Sequence, residues 1–394
     1  MNPSTSGWID KFGYLVKDNF NGYPNFPELY RTLRKSGFIY GVNVRTFGFI
    51  ETEHRPSEDE IAKINLLGAL YFTYTAHYPN LTFDTFLETI FNFYKSLDVG
   101  KISFFKKILS ATKTSSQLEK LIDSRVYLED NVISKTFNSI ITNSLLFIDV
   151  LTFKKYIEGE ANIRKYAQNL EYITINLTYH ALHSKEKNKN DEKLAQLFAS
   201  SLTFIDSNEQ NFDGSYREKM IDHFLPHENR YFLDVSCLTV WEDQNLDYKE
   251  SEFIFGIGKD LGFNKEEVSI SLECVDSFFT SNVDKIPHLK DSNLAVQFYD
   301  SMAKIVNKLI LRNSKRLQKE LSESKELVAL LSKSTVKDLS AEEKKKVQNQ
   351  LLDIFKSIPS LAIFMLPGGA VLLPIFIKLI PKLLPSSFDD NRVD

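Results

Sequence analysis

The sequence predicts an all-α protein, and three observations carry that prediction. Apolar residues recur at helical spacing through most of the chain from Glu58 onward. Few stretches alternate with the two-residue period of a strand. Two of the apolar runs open with serine ahead of acidic residues, which suit the positive end of a helix.

Residues 1–57 read as an irregular, aromatic-rich segment, with Gly7, Gly13, Gly22, Gly37, Gly41 and Gly48 as breakers. Within it, LRKSGFIYGVNVRTFGFIE reads as a short strand or strained loops. Residues 58–223 read as a helical domain. Ser57 precedes EDE, and Ile61, Ile64, Leu67 and Tyr71 follow at helical spacing. LTFDTFLETIFNFYKSL, VISKTFNSIITNSLLFIDVLTFKKYI and IRKYAQNLEYITINLTYHALH continue the pattern. The polar run SKEKNKNDEK, from Ser184 to Lys193, reads as a solvated loop or helix end. A second helical domain is expected over 224–291. Long helices with a basic face are expected over 292–350, one of them running from about Ser292 to Ser334. Ser340 and Glu343 stand at capping-box spacing.

Composition excludes several functions. The chain has 394 residues and a formal charge of −4, so it is not basic overall, although a local basic patch remains open. Cys237 and Cys274 are the only cysteines. They form no disulfide framework, and alone they cannot hold a structural zinc; they fit a reducing compartment. No basic stretch followed by an apolar run opens the chain, so a cytoplasmic body is expected. There is no G-x-S-x-G elbow, H-E-x-x-H pair or Walker loop, and a non-enzymatic protein without a small-molecule substrate is expected. GIGKDLG, Gly256 to Gly262, lacks the spacing and the preceding strand of a dinucleotide fingerprint. His180/His183 and His223/His227 have no evident third ligand and read as surface or core histidines.

Three stretches carry the functional expectations. From Arg230 to Phe263, an apolar helix leads to an acidic loop, a new helix and Leu261-Gly262. This stretch resembles the TerB-like helical domains of tellurite resistance. The resemblance puts Asp243, Asp247 and Glu250 at the acidic positions, although Gln244 replaces the usual glycine. Those carboxylates would offer oxygen ligands to Ca2+ or Mg2+; otherwise they are acids favoured at a helix start, and no cofactor is required. Ala69–Phe91 looks like a weak echo of this block, with Asn80-Leu81 aligned to Asn245-Leu246. Further on, Lys304, Lys308, Arg312 and Arg316 recur every four residues, joined by Lys315 and Lys319 and opposed by Ile305 and Leu309. Such a basic amphipathic helix suits anionic lipid or RNA phosphate, or is a solvated face. Specific DNA binding is not expected.

The third stretch is C-terminal. Ile358 to Ile377 carries no charge over twenty residues, enough to span a bilayer, with Lys356 before it and Lys378 and Lys382 after. Pro367-Gly368-Gly369 and Pro374 interrupt it. A kinked or re-entrant membrane element and a hairpin packed into the protein's own core both fit, and insertion is the expectation taken forward. KDLSAEEKKKVQNQLLDIFKSIPSLAIFMLPGGAVLLPIFIKLIPKLLPSSFDDN strongly resembles the signature of the LETM family, the leucine-zipper, EF-hand-containing transmembrane proteins. The matching residues are Pro359, Pro367, Leu372, Leu373, Pro374, Lys378, Leu379, Pro381, Leu384, Pro385, Ser386, Ser387 and Phe388. The overall layout is similar to bacterial LETM-related proteins described as biofilm-associated. The resemblance implies association with the inner, cytoplasmic membrane and contact with membrane lipid, with a ribosome or other protein as a further partner. It also implies a link to exchange of potassium or calcium for protons. Two departures weigh on that. Ala370 stands where the mitochondrial pattern has an acid, and the chain ends six residues past Phe388, where the family's ribosome-contacting domain would follow. The expected function is therefore a membrane-associated adaptor or regulatory protein. A component of cation/proton exchange and a helical scaffold with a TerB-like metal site are the alternatives.

Overall fold

The fold is all-α in the computed structural model, and no strand occurs among the described residues. These are residues 1–19, 22–52, 55–97, 113–126, 144–184, 215–222, 225–241, 248–286, 306–307, 309–337, 339–358 and 373–388, with Ala303, Leu361 and Phe364.

The segment read as irregular contains two helices, α1 (Trp8–Asn19) and α2 (Phe26–Ser36). Local signals explain α2: Asn25 caps it by accepting from the Glu28 amide, Pro27 sits in its first turn, and Gly37 ends it at φ 85°. A Cβ at Gly37 would lie 1.8 Å from the Val42 carbonyl oxygen, so the chain can fold back here only with glycine. The following stretch is a buried aromatic loop, not a strand. Its amides turn back on Gly37, Phe38 and Ser36, while Phe38, Ile39 and Tyr40 enter the core.

The body continues with α3 (Glu58–His77), α4 (Phe83–Ser96), α5 (Thr114–Val126), α6 (Phe147–Ile157), α7 (Ile163–Ser184), α8 (Ser215–Asp222), α9 (Pro226–Val240), α10 (Tyr248–Asp260) and α11 (Lys265–Asn282). The capping box expected at Ser57 is present, closed by Glu60. Helices α3, α6, α7, α9 and α11 pack successively on one another. Helix α9 buries every residue except Pro226, His227 and Arg230, including the polar Glu228, Asn229, Asp234, Ser236 and Thr239. Around this row, α2, α4 and α5 lie against the α3 end, and α8 and α10 against α7 and α9. The GIGKDLG stretch is the end of α10. Gly258 faces Val268 so closely that a Cβ would meet its Cγ2 at 2.2 Å, so that glycine serves helix packing.

Two fully buried aspartates tie the body together. Asp149 on α6 accepts from Arg125 Nε and Nη2 at 2.8 and 2.6 Å and from the Tyr94 hydroxyl at 2.8 Å. Asp234 on α9 accepts from Arg34 Nη2 at 2.5 Å and the Tyr30 hydroxyl at 2.7 Å, while Arg34 Nε donates to Tyr40 Oη at 2.9 Å. Burial pushes the Asp234 carboxyl above the usual carboxylate range, against the pull of Arg34 and Tyr30. A buried charge persists only when paired and hydrogen-bonded, and both aspartates meet that condition.

The helix expected from Ser292 to Ser334 is not continuous. Asn313 interrupts it, α12 (Ser314–Ser322) follows, and Ser324 caps a separate α13 (Lys325–Val336) by accepting from the Leu327 amide. Residues 292–302 lie outside the described ones. The chain then forms α14 (Ala341–Ser357), α15 (Leu373–Leu383) and a 3-10 turn over Pro385–Ser387. The capping box at Ser340 and Glu343 is present. Helix α13 is the hub, with α12, α14 and α15 packed on it.

Candidate functional site

The described residues of the charge-free segment enter the interior of the C-terminal unit. Leu361, Phe364, Leu373, Ile375, Phe376 and Ile380 are all buried. The Phe364 and Phe376 rings pack on Phe355 of α14, with centroids 4.7 and 5.2 Å away, and on each other at 5.1 Å. Such stacked and edge-to-face ring contacts add to the energy of burial. Among the described residues, no helix is long and apolar enough to cross a membrane. The expected insertion therefore finds no support among the described residues, while 359–360, 362–363 and 365–372 lie outside them. The described parts of both arms lie in the protein's own interior. The core of a small unit also demands an uncharged run, so apolar length alone could not separate the two cases.

Polar ties hold α14 in place. Ser324 Oγ donates to Gln350 at 2.7 Å, Lys346 pairs with Glu326 at 2.8 Å, and Ser357 Oγ donates to Glu320 at 2.9 Å. Lys333 pairs with Glu343, whose carboxyl is held below its usual range first by that lysine and then by the Ser340 amide.

The signature residues divide between core and surface. Pro374 is buried in the first turn of α15, and Phe388 is buried after the 3-10 turn. Pro381 lies half-buried inside α15, Lys378 is exposed, and Pro385 opens the 3-10 turn at the surface. Pro359, Pro367, Gly368 and Gly369 lie outside the described residues.

Four members of the basic stripe fall among the described residues. Arg312, Lys315, Arg316 and Lys319 are exposed, while Ile310, Leu317 and Leu321 on the opposite side are fully buried. The Lys304 and Lys308 side chains lie outside the described set. Sequence reasoning missed Leu311, which is 53% exposed beside Arg312. Its position opposite the buried stripe was the available signal. Charge is also segregated along the chain. Residues 303–394 carry 16 Lys and Arg against 10 Asp and Glu, whereas residues 1–302 carry 32 against 42.

The acidic loop gives less. Asp243 and Asp247 lie outside the described residues, and Glu250 is buried in the first turn of α10, as suits an acid at a helix start. Among the described residues, no three His, Cys, Asp or Glu side chains are grouped to hold a metal. Asn245-Leu246, the counterpart of the echo at Asn80-Leu81, is likewise outside. His180 stacks on Tyr216 at 4.9 Å, and burial, helped by His183 and Arg217, lowers its pKa to about 4. His183 is exposed, with Nδ1 3.0 Å from the Tyr179 carbonyl. His227 packs on Phe26, and His223 is outside the described residues.

Neither a curated protein nor a solved structure matches the chain. The family model described as LETM1-like, RBD matches residues 339–394, which take in α14, α15 and the closing 3-10 turn. The C-terminal segment, with Pro374 buried and an aromatic interior, therefore carries a LETM-family signature.

Proposed function

We propose that the chain is a non-enzymatic adaptor that associates with a membrane through its C-terminal unit, with the larger helical body carried alongside. The observation behind this reading is the LETM-family match over 339–394, on a unit whose apolar residues face inward and whose neighbouring helix exposes cations. The contact in this reading is peripheral. The test is fractionation of cells making the full chain. Pelleting with membranes and release by high salt is the expected result. Recovery wholly in the supernatant at low salt would overturn the reading.

A second reading, ribosome contact, is favoured by the family description and by the same cations. Cosedimentation with ribosomes in a gradient, in place of membranes, would select it. Cation/proton exchange by this chain is disfavoured, because no Asp, Glu or His lies between Ile358 and Ile377 to carry a proton. Proton-coupled flux in vesicles holding the purified chain would restore it.

A further inference from the structure

We infer that the exposed face of residues 311–319 is the membrane contact itself, and that it binds anionic phospholipid headgroups while Phe364 and Phe376 stay packed inside. The inference rests on the membrane reading above and names the surface and the ligand chemistry.

The face has a defined geometry. Along α12, at about 100° per residue, Lys315, Arg316 and Lys319 fall on one side and Leu317 and Leu321 on the other, and just before the break at Asn313 Leu311 and Arg312 are exposed while Ile310 is buried. Leu317 and Leu321 are fully buried, which fixes the three cations of α12 toward solvent. Among the described residues, no carboxylate forms an ion pair with Lys315, Arg316 or Lys319. Glu320 is turned to Ser357, and Glu323 lies beyond the end of α12.

Leu311 decides between the two polyanions the cations would suit. A phosphate backbone gains from Lys315, Arg316 and Lys319 but offers little to an exposed leucine at their edge. A lipid surface takes both, with cations at headgroup depth and the leucine against the acyl boundary. The long stems of the lysines and arginine reach the headgroups while the leucine enters. Phe364, Phe376 and Ile380 are buried and so unavailable for the first contact.

The experiment is flotation of the purified full chain with vesicles of phosphatidylcholine alone or mixed with phosphatidylglycerol, at low and high salt. Three proteins are compared: the unaltered chain, the K315Q/R316Q/K319Q variant and Leu311→Ser. The substituted residues are exposed, and an unchanged melting temperature verifies the fold. Expected is binding to the anionic vesicles only, lost in high salt. The triple variant should bind about a hundredfold more weakly, and Leu311→Ser roughly fivefold more weakly.

If the triple variant floats like the unaltered chain, this face is not the contact and the membrane reading survives. If the unaltered chain floats with no vesicle yet pellets with cell membranes, the contact is a membrane protein and the lipid inference fails alone. If it binds homopolymer RNA more tightly than anionic vesicles, and Leu311→Ser leaves that binding unchanged, RNA is the ligand and the inference is overturned.

Discussion

The body and the C-terminal unit hold themselves together by different means. In the body, two buried carboxylates gather arginines and tyrosines from distant helices. In the C-terminal unit, the described interior is aliphatic and aromatic, with its ion pairs between Lys333 and Glu343 and between Lys346 and Glu326 on the outside. A buried ion pair demands a particular partner at a particular place, whereas an apolar core demands only shape and volume. The body is thus intolerant of single charge deletions, and the C-terminal unit is sensitive mainly to cavities.

That contrast can be broken at its strongest point first. Arg125→Ala leaves Asp149 buried without its cation and should cost about 3–5 kcal/mol, seen as a large fall in the denaturant midpoint. Phe376→Ala, at the centre of the three-ring cluster, should cost about 3–5 kcal/mol at most. If the unit melts independently of the body, calorimetry would resolve a second transition that alone moves; a single shifted transition would show the two regions cooperating.

Smaller changes sharpen the picture. Ser340→Ala removes the cap of α14 and should cost about 1 kcal/mol, with Ser340→Asp restoring it. The weakest effect is pH-dependent and belongs to the body. His180 has a folded pKa of about 4, below its ordinary 6.5, so between these values the unfolded chain binds the extra proton. Its contribution is present above pH 6.5 and is lost as pH falls toward 4. The melting temperature should therefore drop across that window, and His180→Gln should shallow the slope. His183, Arg217, Tyr216 and Asp260 surround the site and remain unchanged in that comparison.

Much of the helical body was legible because its signals are local. Ser57 and Ser340 declared their helices through spacing, and Ile61, Ile64 and Leu67 declared a buried face. Helices α1 and α2 were not legible, because short helices between glycines leave little room for a period to show. The break at Asn313 and the cap at Ser324 disappear within an apolar pattern that runs through both. The buried aspartates were missed for another reason: an acid on an apolar face reads as noise until its partners are seen. A clue existed in Phe147-Ile148-Asp149-Val150 and Phe232-Leu233-Asp234-Val235, which share a pattern and each place a buried aspartate against arginine and tyrosine. At the candidate site, the cations of α12 were readable, and Leu311 was not, because one leucine among cations has no pattern of its own.

The arginine that serves Asp234 is made long before it is needed. Arg34 and Asp234 are 200 positions apart, whereas Arg125 and Asp149 are 24 apart. On a ribosome adding about 5–20 residues per second, Arg34 emerges roughly 10–40 s before its carboxylate. Closing the longer loop also costs about 2 kcal/mol more in chain entropy. The short clamp can therefore set while the chain is still growing. The long one fastens the first helices to a helix that appears after the middle of the chain, and so acts as a late check that synthesis has passed α9.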